Sequence, residues 1–217
     1  AGSNSTEETA AEVARAREAG ADGALVVTPF YTRPTQRGLF EHYRAVARAH
    51  PKYPLVAYNV PARTGVDLLP DTVARLCELP EVVAIKEATG NMARALEIAE
   101  KCGDRMVLLS GDDPSVVPFL ACGGRGVISV SANVVPQMMA DLVAVGLAGN
   151  FSRARQLQIR LHALHRALFV ESNPIPLKWA LHRMGLFGPE LRLPLTPLLP
   201  EHAGPLEAEL KALGVVS

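Results

Sequence analysis

The sequence predicts an α/β protein: a parallel sheet of βα units followed by an all-helical region. Five short apolar runs, at 24 to 28, 54 to 60, 82 to 86, 106 to 110 and 126 to 130, are bounded by turn residues and read as strands. Segments with helical spacing separate them, and strands alternating with helices imply βαβ connections. After residue 150 the alternation stops. At 217 residues and 48% hydrophobic composition, the chain can bury one sizeable core.

Taken in order, helical spacing over 5 to 19 ends at Gly20 and leads into the run 24 to 28 (Ala-Leu-Val-Val-Thr). A helix over 36 to 50 precedes the run 54 to 60, and Pro70 opens a helix over 70 to 79. The run 82 to 86 is followed by a helix over 91 to 102, closed by Gly103. Next come the run 106 to 110 and Asp113-Pro114, an N-cap with proline at the first position of a helix over 114 to 122. Gly123 closes that helix, and the strand 126 to 130 and a helix over 135 to 147 follow. The segments 151 to 170, 174 to 185 and 203 to 213 read as helices separated by proline-bearing turns. Residues 1 to 147 are therefore expected to form the sheet-bearing part, and 148 to 217 a C-terminal helical region. Parallel strands of this kind build a doubly wound sheet or a (β/α)8 barrel, and five are too few to close the latter.

Composition excludes several function classes. Acidic and basic side chains number 22 each, which gives no basis for nucleic acid or anionic membrane partners. No uninterrupted apolar stretch approaches the ~18 residues of a membrane span, and the start Ala1-Gly2-Ser3-Asn4 has no basic and apolar leader. Cys77, Cys102 and Cys122 are odd in number and widely spaced, as expected of reduced thiols in a cytoplasmic protein. No metal site is expected. His162 and His165 lie one helical turn apart, but no carboxylate or cysteine pattern joins them, and Asp113 reads more simply as a helix cap.

Functional groups in parallel α/β architectures gather where strands end. Lys86 ends the apolar run Val82-Val83-Ala84-Ile85, which reads as a strand buried on both faces. A desolvated lysine loses its proton more readily, and the free amine attacks a ketone to form a Schiff base. The plain alternative is a surface lysine paired with Glu87. Tyr58 lies near the end of the preceding run, and a phenol beside an amine can shuttle protons during carbinolamine formation and dehydration. Arg63, a few residues on, offers a fork for a carboxylate. Against these stand a tyrosine ring merely packed in the core and an arginine paired at the surface.

Taken together, V-T-P-F-Y-x-R-P at 27 to 34, Y-N-V-P-x-R-T-G at 58 to 65, I-K-E-A-T-G at 85 to 90, L-S-G-D-D at 109 to 113 and G-G-x-G-V-I-S-V at 123 to 130 resemble the dihydrodipicolinate synthase family. That family lies within the N-acetylneuraminate lyase superfamily of pyruvate-dependent class I aldolases. The resemblance implies a (β/α)8 TIM barrel with a C-terminal helical region. It implies that Lys86 forms the Schiff base with pyruvate, Tyr58 relays protons, and Tyr31 completes the relay in a neighbouring subunit's site. By the same resemblance Arg63 meets the carboxylate of the second substrate, aspartate semialdehyde, while Gly111 and the Ile128 carbonyl belong to the pyruvate pocket. Asn4, Glu8 and Phe30 fall where lysine-inhibited relatives line an allosteric pocket; the simpler reading has Asn4 and Glu8 cap and solvate the first helix. No cofactor is implied, and a homo-oligomer is expected, a tetramer made of two tight dimers. The implied reaction belongs to lysine biosynthesis by the diaminopimelate route. A sugar acid aldolase, such as an N-acetylneuraminate or 2-keto-3-deoxy acid lyase, and an inactive barrel fragment are the alternatives. The family's early Gly-Thr-Thr-Gly-Glu motif is absent, and the first residues match the end of a third barrel strand. An N-terminally truncated barrel is therefore expected, lacking roughly two and a half of eight βα units.

Overall fold

The computed structural model describes residues 1 to 217. Five strands, β1 (Ala24–Val27), β2 (Leu55–Asn59), β3 (Val82–Glu87), β4 (Val107–Ser110) and β5 (Gly126–Val127), form one sheet. Every pairing is parallel, and spatial order repeats chain order, β1-β2-β3-β4-β5. Helix α1 (Thr6–Glu18) precedes the sheet, and α2 (Gln36–Ala49), α3 (Pro61–Thr64), α4 (Pro70–Leu76), α5 (Met92–Cys102) and α6 (Val116–Ala121) fill the connections. Four helices follow: α7 (Pro136–Leu147), α8 (Phe151–Ala167), α9 (Ile175–Arg183) and α10 (Pro200–Ala212). The chain divides into two compact units, Ala1–Asp112 with Pro118–Ile128, and Asp113–Val117 with Ser129–Ser217.

In the sheet-bearing unit, side chains alternate between faces. Leu55, Ala57 and Asn59 of β2 are buried, and the intervening Val56 and Tyr58 only partly so. Leu55, Ala57, Val26, Ile85 and Leu108 share one core with Leu39 and Val46 of α2, Val73 and Leu76 of α4, and Ile98 of α5. Each of the leucine, valine and isoleucine side chains among these contributes about 1.5–3 kcal/mol on burial. The strands are therefore not equally buried on both faces: the face opposite this core is the less covered one, and Lys86 and Tyr58 lie there half-buried.

Short polar side chains set the helix starts. Ser5 accepts from the Glu8 N–H at the head of α1, Thr35 from Gly38 at α2, Asn91 from Arg94 at α5 and Asn150 from Arg153 at α8. Ser5, not Asn4, is thus the first cap. In the helical unit, the Asp113 carboxylate does not cap its own helix. Asp113–Ser115 is a 3-10 turn, and Asp113 Oδ2 instead accepts the backbone N–H groups of Val130 (3.0 Å) and Ser131 (2.9 Å). The strand expected over 126 to 130 accordingly stops at Val127. Helix α10 begins at Pro200, three residues before its expected start, with proline in the first turn, where a missing N–H costs nothing. No helix is long and apolar enough to cross a membrane.

Candidate active site

Strands β2 and β3 run in parallel with Tyr58 opposite Lys86 and Asn59 opposite Glu87. The Lys86 Nζ lies 4.2 Å from the centroid of the Tyr58 ring, within the range of a cation–π contact. Burial pushes the Tyr58 phenol above its ordinary pKa, and the Arg63 guanidinium pulls it partly back. Tyr58 is therefore a phenol held protonated beside an amine, the state in which it can donate. Gly111 leaves the room this needs. A Cβ there would stand 2.6 Å from the Ala88 Cβ and 2.9 Å from the Lys86 Cε, and the Gly111 N–H is fixed to the Glu87 carbonyl at 2.8 Å. Ile128 follows β5 and donates its N–H to the Ser110 carbonyl (2.9 Å), which sets it beside the end of β4.

The loop after β1 carries the aromatic residues. Tyr31 has φ 69° and is 86% exposed, and its N–H donates to the Thr64 carbonyl at 3.1 Å. A bulky residue in the left-handed region is strained, typically by about 1–3 kcal/mol, and here the strain projects a ring outward from a tethered backbone. Phe30, Tyr31, Arg33 and Arg63 line an open groove of about 780 Å³. Asn4 and Glu8 stand exposed at the start of α1, where the Glu8 carboxylate accepts from the Ser3 hydroxyl at 2.5 Å.

The structure thus brings Lys86, Tyr58 and Gly111 into direct proximity, with Arg63 acting on Tyr58 through its charge. It corrects the pairing of Lys86 with Glu87. Glu87 is 2% exposed on the opposite face, where Oε2 accepts from Asn59 Nδ2 (3.0 Å) and Oε1 from the Thr89 N–H (2.7 Å). Residue-by-residue reading missed this buried polar layer, which continues from Asn59 to Asp67 and Arg94. The signal available was that Asn59 and Glu87 each follow a candidate by one position. The two histidines of α8 part company: His162 is exposed, whereas His165 is buried with Nδ1 2.7 Å from the Ser131 hydroxyl.

A profile of the dihydrodipicolinate synthetase family matches residues 1–213. The chain belongs to that family. The 4-hydroxy-tetrahydrodipicolinate synthase of Pseudomonas aeruginosa is 48% identical over 216 residues, spanning 100% of this chain and 74% of the relative. Among solved structures, the chloride-inhibited dihydrodipicolinate synthase of Acinetobacter baumannii complexed with pyruvate superimposes with TM-score 0.96 at 46% identity, covering 99% of this chain and 74% of that one. The Cyanidioschyzon merolae enzyme with lysine bound gives TM-score 0.95 at 38% identity over 100% of this chain and 73% of that one. The fold is that of these synthases, α/β with sequential βα units.

Proposed function

We propose that this chain carries the pyruvate-condensing lyase activity for which its relatives are named, and that Lys86 is its covalent residue. The observation that carries the reading is the Lys86 amine over the Tyr58 ring, opposed across adjacent parallel strands. The Lys86 Nζ attacks the ketone carbon of pyruvate to give a carbinolamine, which expels water to leave an imine. A protonated imine withdraws electrons from the adjacent methyl carbon, which loses a proton and attacks the aldehyde carbon of aspartate semialdehyde. Tyr58, held as a neutral phenol by burial, donates a proton to the departing hydroxyl, which leaves as water. The phenolate then takes up the proton lost by the methyl carbon and delivers it to the aldehyde oxygen as the carbon–carbon bond forms. After this the semialdehyde's own amine displaces Lys86 from the imine carbon. Arg63 meets the carboxylate of the semialdehyde as a bidentate donor.

Gly111 and the Ile128 carbonyl form the wall beside bound pyruvate, and the exposed Tyr31 completes the proton relay of a second copy in a homotetramer of two tight dimers. Lysine would bind at a separate pocket that includes Asn4, Glu8 and Phe30. Residues 1 to 147 act as the barrel part and 148 to 217 as its helical region. The imine supplies the electron sink, so the step requires no metal. The sugar acid aldolase reading is not favoured, because relatives at about half identity bear the synthase name.

Borohydride reduction in the presence of pyruvate is the test. It should add a pyruvyl-derived mass to the peptide containing Lys86, and labelling of Lys178 in its place would overturn the assignment.

A further inference from the structure

The ladder that opposes Tyr58 to Lys86 is out of step at its start. Leu55 pairs with Val82 but Val56 pairs with Ala84, so Val83 is passed over. A bulge of this kind leaves a neighbouring register close at hand, and a slip of one residue would turn Lys86 to the opposite face. Something must hold the far end of the pair in place.

The rung after Tyr58 and Lys86 supplies it. Asn59 is fully buried, and its Nδ2 donates both to Glu87 Oε2 on β3 (3.0 Å) and to Asp67 Oδ1 (3.0 Å). Its Oδ1 accepts from the Leu68 N–H at 2.9 Å. Glu87 spends its other oxygen on the Thr89 N–H (2.7 Å), and Arg94 clamps the outer end through Asp67 Oδ2 (2.5 Å) and the Leu68 carbonyl (3.1 Å). Two carboxylates converging on one amide fix its orientation, since only an N–H₂ group can serve both. Burying such a group is costly, and an aliphatic pair at this rung would give a cheaper core. What the polar pair adds is direction: its bonds are satisfied in one register only.

We infer that Asn59 and Glu87 are positioning residues, a hydrogen-bonded latch across β2 and β3 that holds the Lys86 amine over the Tyr58 ring. They act through the strands, on the face away from the reacting atoms. The inference rests on the proposed role of Lys86 and deepens it.

The test is the rate of borohydride-trappable imine formation with pyruvate, per folded molecule, in the protein and two variants. Glu87→Gln is isosteric, but its amide faces two donors and can keep only one of their bonds. At saturating pyruvate its trapping rate should fall about ten-fold, because misplacement by a fraction of an ångström is enough to cost that much. The half-saturating pyruvate concentration should stay unchanged, since no group that touches pyruvate has been altered. Asp67→Asn lies one step further out and is partly exposed, so it should fold normally and lose about three-fold by the same mechanism. A purely structural role would lower the folded fraction and leave the saturated rate per folded molecule as it was. Wild-type rates in both variants, or wild-type rate in Asp67→Asn if Glu87→Gln does not fold, would overturn the latch. Failure of the wild-type protein to be trapped at Lys86 would instead overturn the proposed function.

Discussion

Each compact unit holds a pair of chemistry-bearing side chains, and the surroundings of these two pairs differ. Lys86 and Tyr58 face each other half-buried at adjacent strand ends, with the phenol tuned by burial and by Arg63. Ser131 and His165 stand 2.7 Å apart, a hydroxyl against an imidazole in the arrangement of an activated nucleophile, yet both are 0% exposed. The Ser131 N–H is also bound to the Asp113 carboxylate. Residue types and distance would favour the second pair as a catalytic centre; access favours the first. A reacting group has to meet a substrate, and a pair sealed in the core fixes a loop onto a helix.

Removing the amine should have the largest effect. Lys86→Ala should abolish pyruvate-dependent mass gain while leaving a cooperative melt, as read by intact-mass spectrometry and calorimetry. Adding one methyl group beside that amine comes next: Gly111→Ala places a Cβ against Ala88 and the Lys86 Cε, and should slow trapping about 100-fold or more, the scale of a ~1 Å displacement. An unchanged rate would mean that the wall does not shape the site.

Buried imidazoles should report on stability alone. His42 is held by Thr6 through Nδ1 (2.9 Å), its buried Nε2 lacks a partner, and burial lowers its pKa from 6.5 to about 4. The folded state therefore binds fewer protons than the unfolded state between these values. The contribution is complete above pH 6.5 and lost as pH falls towards 4, on the order of 3 kcal/mol in all. Denaturant melts of His42→Leu should show a smaller loss over the same window. The smallest effect belongs to the sealed pair: Ser131→Ala removes the Nδ1 partner of His165 and should cost about 1–2 kcal/mol in a urea melt, with the trapping rate unaffected.

Much of this was legible before the structure, for reasons that also explain the rest. All five strands were readable because apolar runs ending in turn residues leave a local signature, and Lys86 and Tyr58 stood out as polar groups at two such ends. Strand β5 is shorter than its sequence suggests, because Ile128-Ser129-Val130 has the composition of a strand while the Val130 and Ser131 amides donate to the Asp113 carboxylate. Helix α10 starts earlier than its sequence pattern suggests, since Pro205 inside it masks the start at Pro200. Helix α3, four residues with Pro61 at its head, was too short to show a period. The Asn59–Glu87 bond joins residues 28 apart, and its existence depends on register, which no local pattern encodes. For the same reason Glu87 read as a partner for the lysine beside it.

Because spatial order repeats chain order, each strand from β2 to β5 finds a partner already synthesised as it leaves the ribosome. Within this sheet every pairing joins consecutive strands, so loop-closure entropy is met one βα unit at a time, which favours vectorial folding. The Tyr58–Lys86 rung can close once Glu87 has emerged, before any of α7 to α10 exists. A nascent chain arrested shortly after β3 should therefore already protect the Ala88 amide, bonded to the Asn59 carbonyl at 3.0 Å, from hydrogen exchange.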